Sequence, residues 1–158
     1  STGAATVGEV YETLAWTSDY KLPWVCLMKC VSEYPAEMTA YNLNSFLELR
    51  DSVDDIGISD HTCDEYATVA SLGVALGFDV FETHVRPVIT DYVVEAVGSP
   101  DWNISLPMTA FGQYVGHIRE AYAIVGDGVW SLTEGENRER LWARRGADGL
   151  RPTDDIRE

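Results

Sequence analysis

Apolar positions recur at helical spacing along most of this 158-residue chain, and they predict a succession of short helices ending in one hairpin. Val7, Val10 and Leu14 with Tyr11 mark a helix over 6–16, after a small-residue start at 1–5 that is expected to be flexible. Leu22 to Val31 is an apolar stretch opened by Pro23 and closed before Pro35, and it reads as a second core helix. Asn44 or Ser45 can cap a helix carrying Phe46, Leu47, Leu49 and Val53, with Glu48 spaced for a capping box and Gly57 as its stop. From Ser59 or Asp60 to Leu76, the positions Cys63, Ala67, Ala70 and Val74 predict a further helix, and Gly77 is placed to end it.

Asp79 can cap the next helix, with Val80, Val88, Tyr92 and Val94 inward and Pro87 as a kink. Ser105 before Pro107 is a helix start, with Phe111, Tyr114, Val115 and Ile118 as the apolar stripe to about Ala121. Two β-prone runs, 122–125 and 129–132, flank Gly126-Asp127-Gly128 and predict a hairpin. Thr133 or the glycine that follows it then opens a charged helix to about Arg145. The fold class is therefore α+β, predominantly α-helical: a compact helical domain with a C-terminal β-hairpin and a final charged helix. Residues 1–145 form a single acidic globular domain, and 146–158 are too poor in apolar residues to order alone.

Charge changes this picture. The chain holds 26 acidic and 11 basic side chains, a net charge of −15, and residues 1–132 carry 19 of those acids against 5 bases. Asp51, Asp54 and Asp55 fall on one helical face at i, i+3, i+4, and Asp91 with Glu95 repeats the like-charge spacing. Each such pair opposes the helix by roughly 0.2–0.5 kcal/mol, so a partner or a solvent condition is expected to compensate. Carboxylates three or four residues apart sit roughly 5–6 Å apart, and several acidic helices side by side imitate the phosphate track of DNA. Direct nucleic-acid binding is excluded by the same repulsion.

Other chemistry is sparse. Cys26, Cys30, His61 and Cys63 supply four soft ligands, but their spacing is looser than closed zinc sites use, and an odd cysteine count rules out a complete disulfide framework. Asp60, Asp64 and Glu65 around Cys63 would raise its thiol pKa and disfavour a nucleophile. His84 and His117 are isolated and receive no role. Phosphate-loop, dinucleotide and serine-hydrolase motifs are absent. No cofactor and no metal are expected, and no apolar run approaches the ~20 residues of a membrane helix. A cytoplasmic or virion-borne protein follows.

Thr109-Ala-Phe-Gly-Gln-Tyr-Val115 and Tyr122-Ala-Ile-Val-Gly-Asp-Gly-Val-Trp130 resemble the closing segment of ArdA-type antirestriction proteins, with 45–131 as the extent of the likeness. Gln113-Tyr114 stands where that family commonly has Arg-Asp. The resemblance implies a DNA-mimicking inhibitor of restriction enzymes, often dimeric. The leading expectation is thus a non-enzymatic acidic inhibitor whose partner is a basic DNA-binding protein. Its binding surface would be Glu48, Asp51, Asp54, Asp55, Asp60, Asp64, Glu65, Asp91 and Glu95. One alternative is a viral or halophile structural or assembly protein whose acidity answers salt. Another is an enzyme or metal-binding protein using the Cys/His/acid cluster at 60–65.

Overall fold

Helix α1 (Val7–Asp19) starts on a capping box: the Thr6 hydroxyl accepts from the Glu9 backbone N–H, and the Glu9 carboxylate accepts from the Thr6 N–H at 2.7 Å. The computed structural model describes residues 1–87, 101–145 and 149, and the chain divides into two units, Ser1–Val125 and Gly126–Glu158.

The first unit is built on strands β1 (Cys26–Cys30), β2 (Asp55–Asp60) and β3 (Val80–Thr83), which form a parallel sheet in that order. Helix α2 (Thr68–Ala75) links β2 to β3. After His84, strand β4 (Val85–Arg86) pairs in parallel with β5 (Leu106–Pro107), and helix α3 (Met108–Val125) follows directly. The chain is thus α+β with small parallel sheets.

Ile56 and Ile58 of β2 are almost wholly buried against Phe78, Phe46, Leu49 and Val69. Ala67, Ala70 and Val74, at and on α2, meet Leu106 and the α3 residues Ala110, Tyr114 and Ile118 in a second cluster. Two apolar clusters therefore hold the sheet and its helices together.

Several expected helices are something else. The 22–31 helix is the strand β1: a short apolar run has too little periodicity to separate strand from helix, and here it hydrogen-bonds to β2 from Cys26↔Asp55 to Cys30↔Ser59. The 44–55 helix is a 3-10 stretch, Leu43–Ser52, after which Val53 is extended. Its expected capping box is not made, because the Ser45 hydroxyl donates to the Asn42 carbonyl at 2.7 Å. Asp51, Asp54 and Asp55 consequently share no α-helical face.

Gly57 does not stop a helix but lies inside β2, where it faces Val80 of β3. The helix expected from Ser59 begins only at Thr68, although Gly77, at φ +81°, does end it. The segment after Asp79 opens as β3; Val88, Tyr92 and Val94 lie outside the described residues. The 122–132 hairpin is overturned as well, because α3 runs on to Val125 and residues 126–132 form no strand. In the second unit, helix α4 (Glu134–Ala143) forms as expected behind a Thr133–Glu136 capping box.

Candidate active site

Parallel strands put all their C-terminal ends on one side, and in sheets of this kind functional side chains gather there. Cys30, Ser59 and Glu82 are successive partners across β1, β2 and β3. Side chains two residues apart share a face, so the residues just past the strands, His61 and His84, join that row. The two imidazole centroids are 5.1 Å apart. Tyr34, from the loop after β1, stacks on His61 at 4.5 Å and stands edge-on to His84 at 6.1 Å.

His61 is buried, 4% exposed, and its hydrogen bonds define its protonation possibilities. Nδ1 lies 2.8 Å from the Val31 carbonyl, which can only accept, so Nδ1 carries a proton. Nε2 lies 3.2 Å from Ser59 Oγ, and Ser59 Oγ lies 2.8 Å from Glu82 Oε1. A hydroxyl has one proton to give. When Ser59 donates to an ionised Glu82, His61 Nε2 donates to Ser59 and the ring is an imidazolium. When Ser59 donates to Nε2, Glu82 holds the proton. The two arrangements have equal net charge and interconvert by shifting two protons through the Ser59 hydroxyl. Such a line can deliver or remove a proton at a bound substrate.

The backbone around His61 is held on all sides. Its N–H donates to Tyr41 Oη at 2.8 Å, Tyr41 donates to the Ser59 carbonyl at 2.9 Å, and the His61 carbonyl accepts from the Ala36 N–H at 2.9 Å. Burial pushes the Tyr41 phenol well above its ordinary pKa, so it stays neutral. Asp60, 1% exposed, points to the opposite face, where Oδ1 accepts from the Thr62 N–H at 2.9 Å and Thr62 Oγ1 at 2.7 Å. His84 Nδ1 is 3.8 Å from Asp101 Oδ2.

The acids expected to form one binding surface are dispersed in role. Glu48, Asp51 and Glu65 are exposed. Asp54 accepts from the Val25 N–H at 2.7 Å, and Asp55 from Trp24 Nε1 at 2.5 Å. Asp64 accepts from the N–H groups of Tyr66 and Thr68 at the start of α2. Asp60 is interior. Asp91 and Glu95 lie outside the described residues.

The four soft ligands also separate. Cys63 Sγ donates to the Ile104 carbonyl at 2.9 Å, Cys26 Sγ lies beside Met28, and Cys30 Sγ alone approaches His61, at 3.9 Å. Burial, then the neighbouring Asp60, pushes the Cys63 thiol up. Among the described residues no group of three or more His, Cys, Asp and Glu side chains could hold a metal ion.

Sequence reasoning missed His84, Ser59, Glu82 and Tyr34. A signal was present: Ser59-Asp-His61 and Glu82-Thr-His84 each place a polar residue two before a histidine at the end of a β-prone run.

With this arrangement in view, the chain resembles proteins named as synthases of acidic sugars. The NeuB family matches residues 1–130, and the chain belongs to it. It is 31% identical over 145 residues to the pseudaminic acid synthase of Campylobacter jejuni, covering 91% of this chain and 40% of that protein. It is 30% identical over 129 residues to the N,N'-diacetyllegionaminic acid synthase of Legionella pneumophila, covering 81% of this chain and 33% of that protein. The crystal structure of the N-acetylneuraminic acid (sialic acid) synthetase of Leptospira borgpetersenii superposes with a TM-score of 0.67 at 26% identity, covering 91% of this chain and 49% of that one. The chain spans well under half the length of the curated relatives it matches.

These matches correct the expectation of an ArdA-type antirestriction protein. They also overturn the non-enzymatic DNA mimic directed at a basic DNA-binding protein, and the structural or assembly alternative with it, because the relatives are named as synthases of acidic sugars. The physical error is visible in the fold: Asp51, Asp54 and Asp55, a leading part of the mimicry reading, share no α-helical face. Among the described residues, no helix is long and apolar enough to cross a membrane.

Proposed function

We propose that this chain is the site-bearing part of a NeuB-type synthase, acting in formation of an acidic sugar of the pseudaminic, legionaminic or sialic kind. The observation that carries this is the line Val31 carbonyl, His61, Ser59, Glu82 at the C-terminal ends of three parallel strands, in a chain whose relatives bear those names. His61 and Glu82 serve as the acid–base pair, Ser59 as the hydroxyl between them, and His84 as the second imidazole over the bound sugar.

The sheet supports a larger β/α barrel of which these strands are consecutive members. Ser1–Gly3 runs along the outer side of β1, where the Thr2 N–H donates to the Met28 carbonyl and the Cys30 N–H donates to Thr2 Oγ1. Among the described residues, nothing pairs with the outer edge of β3. Open edges of this kind are ordinarily paired or covered.

The test is titration of the histidine-labelled chain with pseudaminic, N,N'-diacetyllegionaminic and N-acetylneuraminic acids, followed by NMR of the ring Cε1–H groups. The expected result is a saturable shift of His61 and His84 by at least one acid, with His117 on α3 unmoved. Shifts of neither site imidazole at millimolar concentration would overturn the reading.

A further inference from the structure

We infer that Tyr114 of α3 is a positioning residue for His61, acting through the buried carboxylate of Asp60. The inference rests on the reading of the strand ends as the reacting site. Tyr114 is 2% exposed and its hydroxyl donates to Asp60 Oδ2 at 3.2 Å. Burial is the main reason its phenol titrates well above the ordinary range, so it donates at any working pH.

Asp60 is the last residue of β2 and His61 is the next. The carboxylate is satisfied by three donors: the Thr62 N–H and Thr62 Oγ1 on Oδ1, and Tyr114 on Oδ2. The Asp60 carbonyl also accepts from Thr83 Oγ1 at 3.0 Å, tying the turn to the end of β3 one residue before His84. Asp60 and His61 point to opposite faces, so the carboxylate never reaches the reacting side. It fixes the turn 60–63, and the turn fixes the ring. Two residues later the chain passes through a left-handed backbone at Cys63, φ +56°, a conformation that a non-glycine residue keeps only where its surroundings enforce it.

Removing the Tyr114 hydroxyl leaves Oδ2 of a buried carboxylate without a donor. A buried acceptor stripped of its partner is costly, and the available relief is rotation of Asp60 toward water or toward Thr62. Either movement drags Thr62 and alters the angle at which His61 presents Nε2 to Ser59. Helix α3 thereby controls a proton-bearing imidazole on the far side of the sheet. Tyr122, about two helical turns further on, donates instead to the Phe78 carbonyl and Asp79 at the other end of β3. It is the matched control.

The experiment compares Tyr114→Phe and Tyr122→Phe with the parent chain, all without ligand, reading the His61 ring ¹⁵N shifts and the exchange rate of the Thr62 amide. Tyr114→Phe is expected to move the His61 Nε2 resonance and speed Thr62 exchange by about tenfold or more, the scale of one lost local hydrogen bond. Tyr122→Phe should change neither, even where it lowers Tm by a similar amount. Thr62→Val cuts a second bond to the same carboxylate without touching α3, and it should move the His61 ring in the same direction. If Tyr114→Phe lowers Tm but leaves the His61 ring unmoved and Thr62 exchange within about twofold of the parent, Tyr114 is packing alone and the inference falls. Because both readouts are taken on the free chain, failure to bind any sugar acid would sink the proposed function without deciding this one.

Discussion

Tyr41→Phe is the sharpest probe of how the site is held. The substitution removes one oxygen and leaves the ring, so it opens no cavity of consequence. What it removes is the single group that accepts from the His61 N–H at 2.8 Å and donates to the Ser59 carbonyl at 2.9 Å. Tyr41 is 1% exposed, Ser59 3% and His61 4%, so water has no path to replace either bond. Each buried backbone group left unpaired costs about 1–3 kcal/mol; with two affected, the expected loss is about 3 kcal/mol. A domain of this size unfolds in urea with a slope of about 1–3 kcal/mol/M, so the midpoint should fall by roughly 1–3 M with the slope unchanged. The His61 amide, protected in the parent, should exchange faster by more than the global loss of stability accounts for. A loss below about 1 kcal/mol at unchanged slope would mean that the phenol bonds are replaceable, and the view that Tyr41 clamps the histidine turn would be wrong.

Two further perturbations test the sheet and its caps. In Gly57→Ala, the added methyl would press on Met28 Sδ and come within 2.5 Å of the Val80 carbonyl and 2.9 Å of Val80 Cβ. Strand backbone cannot yield as a flexible side chain can, so the variant should lose about 3 kcal/mol or more, read as a drop in Tm of the β-sheet signal; a loss under about 1 kcal/mol would show that β1 and β3 part easily. Acid should unfold the chain through its caps. Glu9 is held below its usual pKa by the Thr6 backbone N–H and then the Thr6 hydroxyl; Asp64 is also held low, because the hydrogen bonds from Thr68 and Tyr66 outweigh the burial that would raise it. Lowered carboxyls contribute stability above their unfolded pKa that is lost as pH falls through the folded one, so Tm should hold from pH 7 and fall below about pH 4. Asp64→Asn should be less stable than the parent at pH 7 and converge with it at about pH 2; parallel curves would exclude Asp64 as a contributor.

What the sequence disclosed, and what it hid, divides by range. The helices α1 and α4 were legible from local signals, the spacing of Val7, Val10 and Leu14 and the Thr133 start, and each begins on a capping box closed within four residues, Thr6 with Glu9 and Thr133 with Glu136. α3 was legible from its stripe, two of whose members, Tyr114 and Ile118, are buried. The strands were not. β1 and β2 are short, β2 is buried on both faces, and such runs carry no alternation to distinguish them from helix. Their partners are 23 to 29 residues away, so register cannot be read locally, and register is what makes the site. Ser59 meets Glu82 only because β2 and β3 align Gly57 with Val80. His84 looked like a lone histidine for the same reason.

The charge misled by a related route. A count of −15 says how many carboxylates there are but not what they accept. In the fold, many of the acids that seemed free are acceptors for particular donors: Asp54 for Val25, Asp55 for Trp24, Asp64 for the start of α2, Glu9 and Glu136 for helix starts, Asp79 for Tyr122, Asp127 for Val129. A carboxylate at a helix start or loop end replaces backbone bonds that a short element cannot make for itself. Elements here are short, and many are capped. Those carboxylates serve the ends of short elements, and among the described residues Asp60 is the acid carried inward, beside the histidine that follows it.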